Sequence, residues 1–177
     1  MRAGVELLET SGPESLGLRE IARRAGVSHG APRRWFPTRQ QLLAAIAREG
    51  LGDLTAVLTE ALDAAGPVPE RLLAAAHAYV GFARERPGMF RLIFRHDLLS
   101  GSGYALRELS VPLLGQLVGV ITAGYPTMDD ARERGVLLWT HVHGIATVAA
   151  DLTLEPMGLD AGIGGLVERA VRGQLPA

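Results

Sequence analysis

The chain has no cysteine. Disulfides, thiolate metal sites and a cysteine nucleophile are therefore excluded. It has no lysine either: all 18 basic residues are arginine. With abundant Ala, Gly and Leu, this points to the codon bias of a GC-rich genome before it points to function. No strand-like alternation is sustained, and no internal repeat is present. The opening MRAGVELLETSG has no long apolar run and does not read as a secretory signal. Residues 109–128 and 135–150 carry no charge. The first stretch is interrupted by prolines and glycines, and the second is short and holds His141 and His143. Both read as buried or interface helices rather than membrane spans. A cytoplasmic location fits these absences.

What is present is a 177-residue chain, 47% hydrophobic, enough for one sizeable core. Its net charge of −1 is unevenly spread. Residues 1–50 hold 8 arginines and 5 acids, net +3; residues 51–177 hold 10 arginines and 14 acids, net −4. A basic head on an acidic body hints at an anionic partner for the head.

Helical spacing dominates, which predicts an all-α fold of about nine helices. Arg2–Glu9 reads as a short helix ending near Gly12-Pro13. Leu18, Ile21, Ala22 and Ala25 share one apolar helix face, and Gly26 follows as a C′ glycine. Ser28 is expected to N-cap the next helix, with Val27 stapled onto Pro32. Thr38 is expected to cap a longer helix that buries Leu42, Leu43, Ile46, Leu54, Val57, Leu58 and Leu62. Further helices are expected over 70–86, 89–97, 104–124, 129–152 and 160–172, the last capped by Asp160.

Residues 18–36 thus have the helix, glycine-containing turn, helix plan of a DNA-reading corner. Val27 and Phe36 would anchor the second helix, leaving His29, Gly30, Arg33 and Arg34 outward. Arginine suits both a guanine edge and a phosphate. Thr38 and Arg39 open the following helix, whose N–H groups also favour phosphate. A solvated arginine face with a half-buried Trp35 is the bland alternative.

The string LREIARRAGVSHGAPRRWFPTRQQLLAAI resembles the DNA-binding head of TetR-family transcriptional repressors, which usually reads IA..AGVS.G..Y.HF..K..L. Ile21, Ala22, Ala25, Gly26, Val27, Ser28, Gly30, Phe36 and Leu42 match. AYVGFARERPGMFRLIF and LLWTHVHGIA resemble the ligand-binding body of a subgroup with a W…HG signature, here Trp139, His143 and Gly144. The resemblance implies a helix-turn-helix domain over 1–48 and a ligand-binding and dimerisation domain over 49–177. It implies a homodimer through residues 129–152 and 160–172, on a pseudo-palindromic operator, released by a small-molecule effector. It also implies DNA contacts from Ser28, His29, Gly30, Arg33, Arg34, Trp35, Thr38 and Arg39. Arg33 and Trp35 stand where the family usually has tyrosine and histidine, and Arg39 replaces a lysine that meets phosphate. Pro32 replaces a leucine, so the recognition helix is expected to start late or irregularly. Gly17 replaces the usual Ser/Thr cap. Family members usually begin several residues earlier, which leaves an upstream start or a missing basic arm.

In the body, Tyr79, Phe82, Met89, Phe90, Phe94, Tyr104 and Trp139 are either core or pocket lining. Trp139 and His143 share a helix face, with Gly144 allowing close helix approach. His143 either contacts a ligand or bonds a backbone carbonyl. His141 and His143 point apart and make no chelating pair, and no spacing supports a metal or cofactor site. No catalytic motif is present. The expectation is a ligand-responsive bacterial repressor, not an enzyme. The rival is an all-α dimeric small-molecule-binding protein with weak or lost DNA binding.

Overall fold

The computed structural model describes residues 1–151, 156, 158 and 162–176. Among them are ten α-helices, one 3-10 turn and no strand. The helices are α1 (Arg2–Ser11), α2 (Leu18–Arg24), α3 (Ala31–Trp35), α4 (Arg39–Asp63), α5 (Val68–Glu85), α6 (Pro87–Ile93), α7 (His96–Leu99), α8 (Arg107–Gly124), α9 (Ala131–Ala150) and α10 (Ile163–Arg172). The 3-10 turn is Pro13–Ser15. The one short helix expected over 89–97 is two, α6 and α7. Asp160, the expected cap of the last helix, lies outside the described residues, as does Leu152. No helix of the described residues is long and apolar enough to cross a membrane.

The chain forms two compact units. The first is Met1–Gly52 with Arg86–Leu106; the second is Asp53–Glu85 with Arg107–Ala177. Residues 86–106 thus group with the N-terminal head, although they lie within the 49–177 span read from the sequence as body. Specific contacts within the first unit account for this. The Glu9 carboxylate on α1 accepts the Gly88 and Met89 backbone N–H groups at 2.8 and 3.0 Å. It thereby caps α6, whose own N-cap residue, Arg86, makes no side-chain cap bond. A Cβ on Gly88 would sit 2.5 Å from the Leu8 carbonyl oxygen, so only glycine lets α1 and α6 pack this closely. Arg95 pairs with Glu14 at 2.9 Å, and Gln40 donates to the Ser100 carbonyl at 2.6 Å. Leu8, Leu16, Leu42, Leu43, Ile46, Met89 and Leu92 are fully buried in this unit's core.

In the second unit α5 packs on α9 and α10, and α8 packs on α9. Leu54, Leu72, Ile121, Val167 and Val171 are among its fully buried side chains. Val57, expected on the buried face of α4, is 40% exposed. Gly144, expected to let helices approach, would meet nothing within 4 Å if given a Cβ. Gly135 has that role instead: its Cβ would lie 2.8 Å from Val118 Cγ2, where α8 crosses α9.

Candidate nucleic-acid interface

The corner between α2 and α3 is built from local rules. α2 starts on Gly17, which supplies no side-chain cap, as its replacement of Ser/Thr implied. It ends in a Schellman arrangement. Gly26 takes φ +66°, and the Val27 and Gly26 N–H groups return to the Ala22 and Arg23 carbonyls at 3.0 and 3.3 Å. Ala22 on α2 is fully buried, and α2 packs against α3.

α3 differs from its expected form in two ways. Ser28 is not its N-cap: the helix starts at Ala31, with Gly30 as N-cap and no side-chain cap bond. The late start places Pro32 at the second helical position, where its missing N–H breaks no intrahelical bond. Ser28 contributes its carbonyl, which accepts the Ala31 N–H at 3.0 Å. Second, Val27 does not staple the helix, being 46% exposed. Pro32 is the residue of α3 that is buried.

The outward side is basic. Residues 21–48 carry six arginines and no acid. Ser28, His29, Gly30, Arg33, Arg34, Trp35 and Thr38 are all exposed. Gly30 adopts an ordinary right-handed conformation, and a Cβ there would meet nothing within 4 Å. Nothing within the chain demands glycine at that position. Thr38 caps α4 as expected, its hydroxyl accepting the Gln41 N–H at 3.1 Å.

Arg39, expected on phosphate, also makes contacts within the chain. Its Nε donates to the Leu16 carbonyl at 2.6 Å and its Nη2 to the Pro13 carbonyl at 2.6 Å. Nη2 also reaches the Glu14 carbonyl at 3.3 Å. The planar fork reaches carbonyls at both ends of the 3-10 turn, and the Pro13 carbonyl also accepts the Leu16 N–H at 3.3 Å. Sequence reasoning missed this because the partners lie more than twenty residues away.

Of the body residues singled out in the sequence, Tyr79, Phe82, Trp139 and His143 fall in the second unit, and Phe90, Phe94 and Tyr104 in the first. Three of them meet. The Tyr79 hydroxyl lies 2.8 Å from His143 Nδ1, and the Trp139 ring stacks on His143 at 5.6 Å and 28°. Burial pushes the Tyr79 hydroxyl well above its ordinary range, against a smaller opposing pull from Trp139. Burial also lowers His143. Both shifts favour neutral forms. Tyr79 and His143 thus meet as two neutral groups across one hydrogen bond. His143 Nδ1 is tied to the Tyr79 side chain. In the first unit Phe90 and Phe94 pack ring to ring at 5.1 Å.

Residues 1–46 match the family model of bacterial regulatory proteins of the tetR family. Residues 72–173 match that of the tetracyclin repressor-like C-terminal domain. No curated protein matches the chain. Among solved structures, a protein of unknown function from Rhodococcus sp. RHA1 is 31% identical, with 97% of this chain and 91% of that one covered and a TM-score of 0.81. A tetR-family regulatory protein from Rhodococcus RHA1 is 22% identical over 96% and 93%, at a TM-score of 0.73. The regulator FadR from Bacillus subtilis, solved with stearoyl-CoA, is 19% identical over 97% and 96%, at 0.72. The chain belongs to the tetR family of bacterial regulatory proteins: it is a transcription regulator with a helix-turn-helix DNA-binding head.

Proposed function

We propose that this regulator is a cytoplasmic repressor. In this reading it binds a pseudo-palindromic operator as a homodimer and leaves it when a small molecule occupies the body. The observation that carries this is the acid-free, exposed face of Ser28, His29, Gly30, Arg33, Arg34, Trp35 and Thr38 around α3. His29 and Arg33 meet base edges, Arg34 meets phosphate, and Gly30 lets the backbone approach the groove. Arg39 acts from behind, by holding the 3-10 turn.

Dimerisation runs through residues 129–152 and 160–172. Leu137, His141 and Gly144 recur on one exposed side of α9, a pattern that suits a helix-to-helix interface between copies. The effector is apolar enough to lie against Tyr79 and Phe82 in the second unit, with Trp139 and His143 as its aromatic and polar contacts. Because FadR of the same fold holds stearoyl-CoA, long-chain acyl compounds are the first class to assay. Ligand changes the spacing or tilt of the two heads, so they no longer fit both half-sites.

The test is binding of the purified chain to DNA upstream of its own gene at low salt, with and without acyl compounds. Retention of that duplex over random DNA supports the proposal. Failure to bind any neighbouring DNA overturns it and favours a small-molecule-binding protein whose head no longer reads DNA.

A further inference from the structure

Residues 109–128 carry no charge, and Gln116 is the one amide side chain among them. It is half-buried on α8, and both ends of its amide are bonded. Its Oε1 accepts the Thr59 hydroxyl at 3.2 Å, and its Nε2 donates to Asp63 Oδ1 at 3.0 Å. Thr59 and Asp63 are four residues apart and share one face of α4. One side chain on α8 therefore grips two consecutive turns of α4. All three residues belong to the second unit.

The turn that is gripped breaks a local rule. The end of α4 carries Glu60 and Asp63 and no basic residue, the reverse of what the helix dipole favours. Neighbouring helices compensate. Arg71 on α5 donates from Nε to the Leu62 carbonyl at 2.8 Å, which sets a cation at the end of α4, and Gln116 takes the Asp63 carboxylate. A local breach that neighbours repair is where function is to be sought. α4 is also continuous through both units: residues 39–52 lie in the first and 53–63 in the second. Its 25 residues span about 37 Å. Turning such a rod by about 5° around its last turn moves its first turn by about 3 Å, close to one base-pair step. Thr38, on the exposed DNA-reading face, caps that first turn.

From this geometry we infer that Gln116 is a positioning residue for operator recognition. By fixing the last turn of α4 against α8, it sets the half-site spacing that the dimer accepts, although it touches no DNA. The inference rests on the homodimer-on-operator reading above and adds to it a residue that governs spacing. Arg71 holds a backbone carbonyl and so anchors the end of the rod. Gln116 holds side chains on one face and so fixes the rod's angle and rotation.

The experiment uses the full chain, a duplex selected by it from a random pool, and the same duplex with one base pair inserted between the half-sites. Affinity for each is measured by fluorescence anisotropy, and thermal melting checks the fold of every variant. Wild type should bind the lengthened duplex roughly tenfold or more weakly, because both heads no longer engage together. Gln116→Glu sets a second carboxylate against Asp63 and should cut that ratio by about fivefold, the worth of one net hydrogen bond. Gln116→Met, similar in length and unable to make either bond, should do the same, and it stands in if Gln116→Glu does not fold. Adding Asp63→Asn to Gln116→Glu supplies a donor again and should restore the wild-type ratio. An unchanged ratio in the single variants, whether affinity holds or falls equally on both duplexes, overturns the inference and leaves two-site binding standing. Failure of Asp63→Asn to rescue a folded Gln116→Glu overturns it as well. If the wild type itself ignores the inserted base pair, the homodimer reading and the inference fall together.

Discussion

Arg39 is where a phosphate contact and a scaffold contact make opposite predictions. Replacing it with alanine removes hydrogen bonds to the Leu16 and Pro13 carbonyls, both 2.6 Å, and a longer one to Glu14. A hydrogen bond to a charged group contributes about 1.5–3 kcal/mol. The Arg39 side chain is 39% exposed, so water replaces part of that loss, and about 2–3 kcal/mol for the set is reasonable. At about 2–4 °C per kcal/mol for a chain of this size, melting should fall by roughly 4–12 °C. Circular dichroism melting checks the stability, and a salt titration of DNA binding checks the contact. Lost scaffolding lowers the melting temperature and leaves the salt slope unchanged. A lost phosphate contact lowers the slope by about 0.9 per head. Arg39→Ala protein that melts like wild type, or that shows the lower slope, would refute the scaffold role.

Other outcomes follow from the same geometry. Gly88→Ala should cost about 1–3 kcal/mol by chemical denaturation, because its Cβ would meet the Leu8 backbone rather than a movable side chain. Gly81→Ala, in open space on α5, should be neutral or stabilising. His143 is lowered by burial, so its folded state resists protonation. Below the unfolded value of about 6.5 the unfolded chain binds more protons, and stability should fall as pH drops through that region. His143→Gln should lose that component in melts between pH 5 and 8. Arg34→Ala should weaken all duplexes and lower the salt slope by about one unit per head, whereas His29→Ala or Arg33→Ala should relax preference at particular base pairs.

The helical character, the α2 ending at Gly26 and the Thr38 cap were legible in the sequence, because each rests on residues within a few positions of one another. So was the late start of α3, since a proline restricts its own neighbourhood. The exposure of Val27 was not, because Pro32 took the anchoring place that the staple rule assigns to a pair. Nor was the grouping of residues 86–106 with the head. It depends on Glu9 reaching α6 and on Gly88 meeting Leu8, and no local pattern encodes partners almost eighty residues apart. Gly135 and Gly144 make the same point. Both are helical glycines ten residues or less from each other, and only the neighbouring helix tells which one is crowded.

The central claim is that two copies of the α3 face read one DNA site together. Hydroxyl-radical footprinting of the full chain on the DNA upstream of its gene tests this most directly. Two protected patches on one face of the duplex, about one helical turn or a multiple apart, with inverted sequence symmetry between them, are the predicted result. A single unpaired patch, or uniform protection without sequence preference, would contradict it.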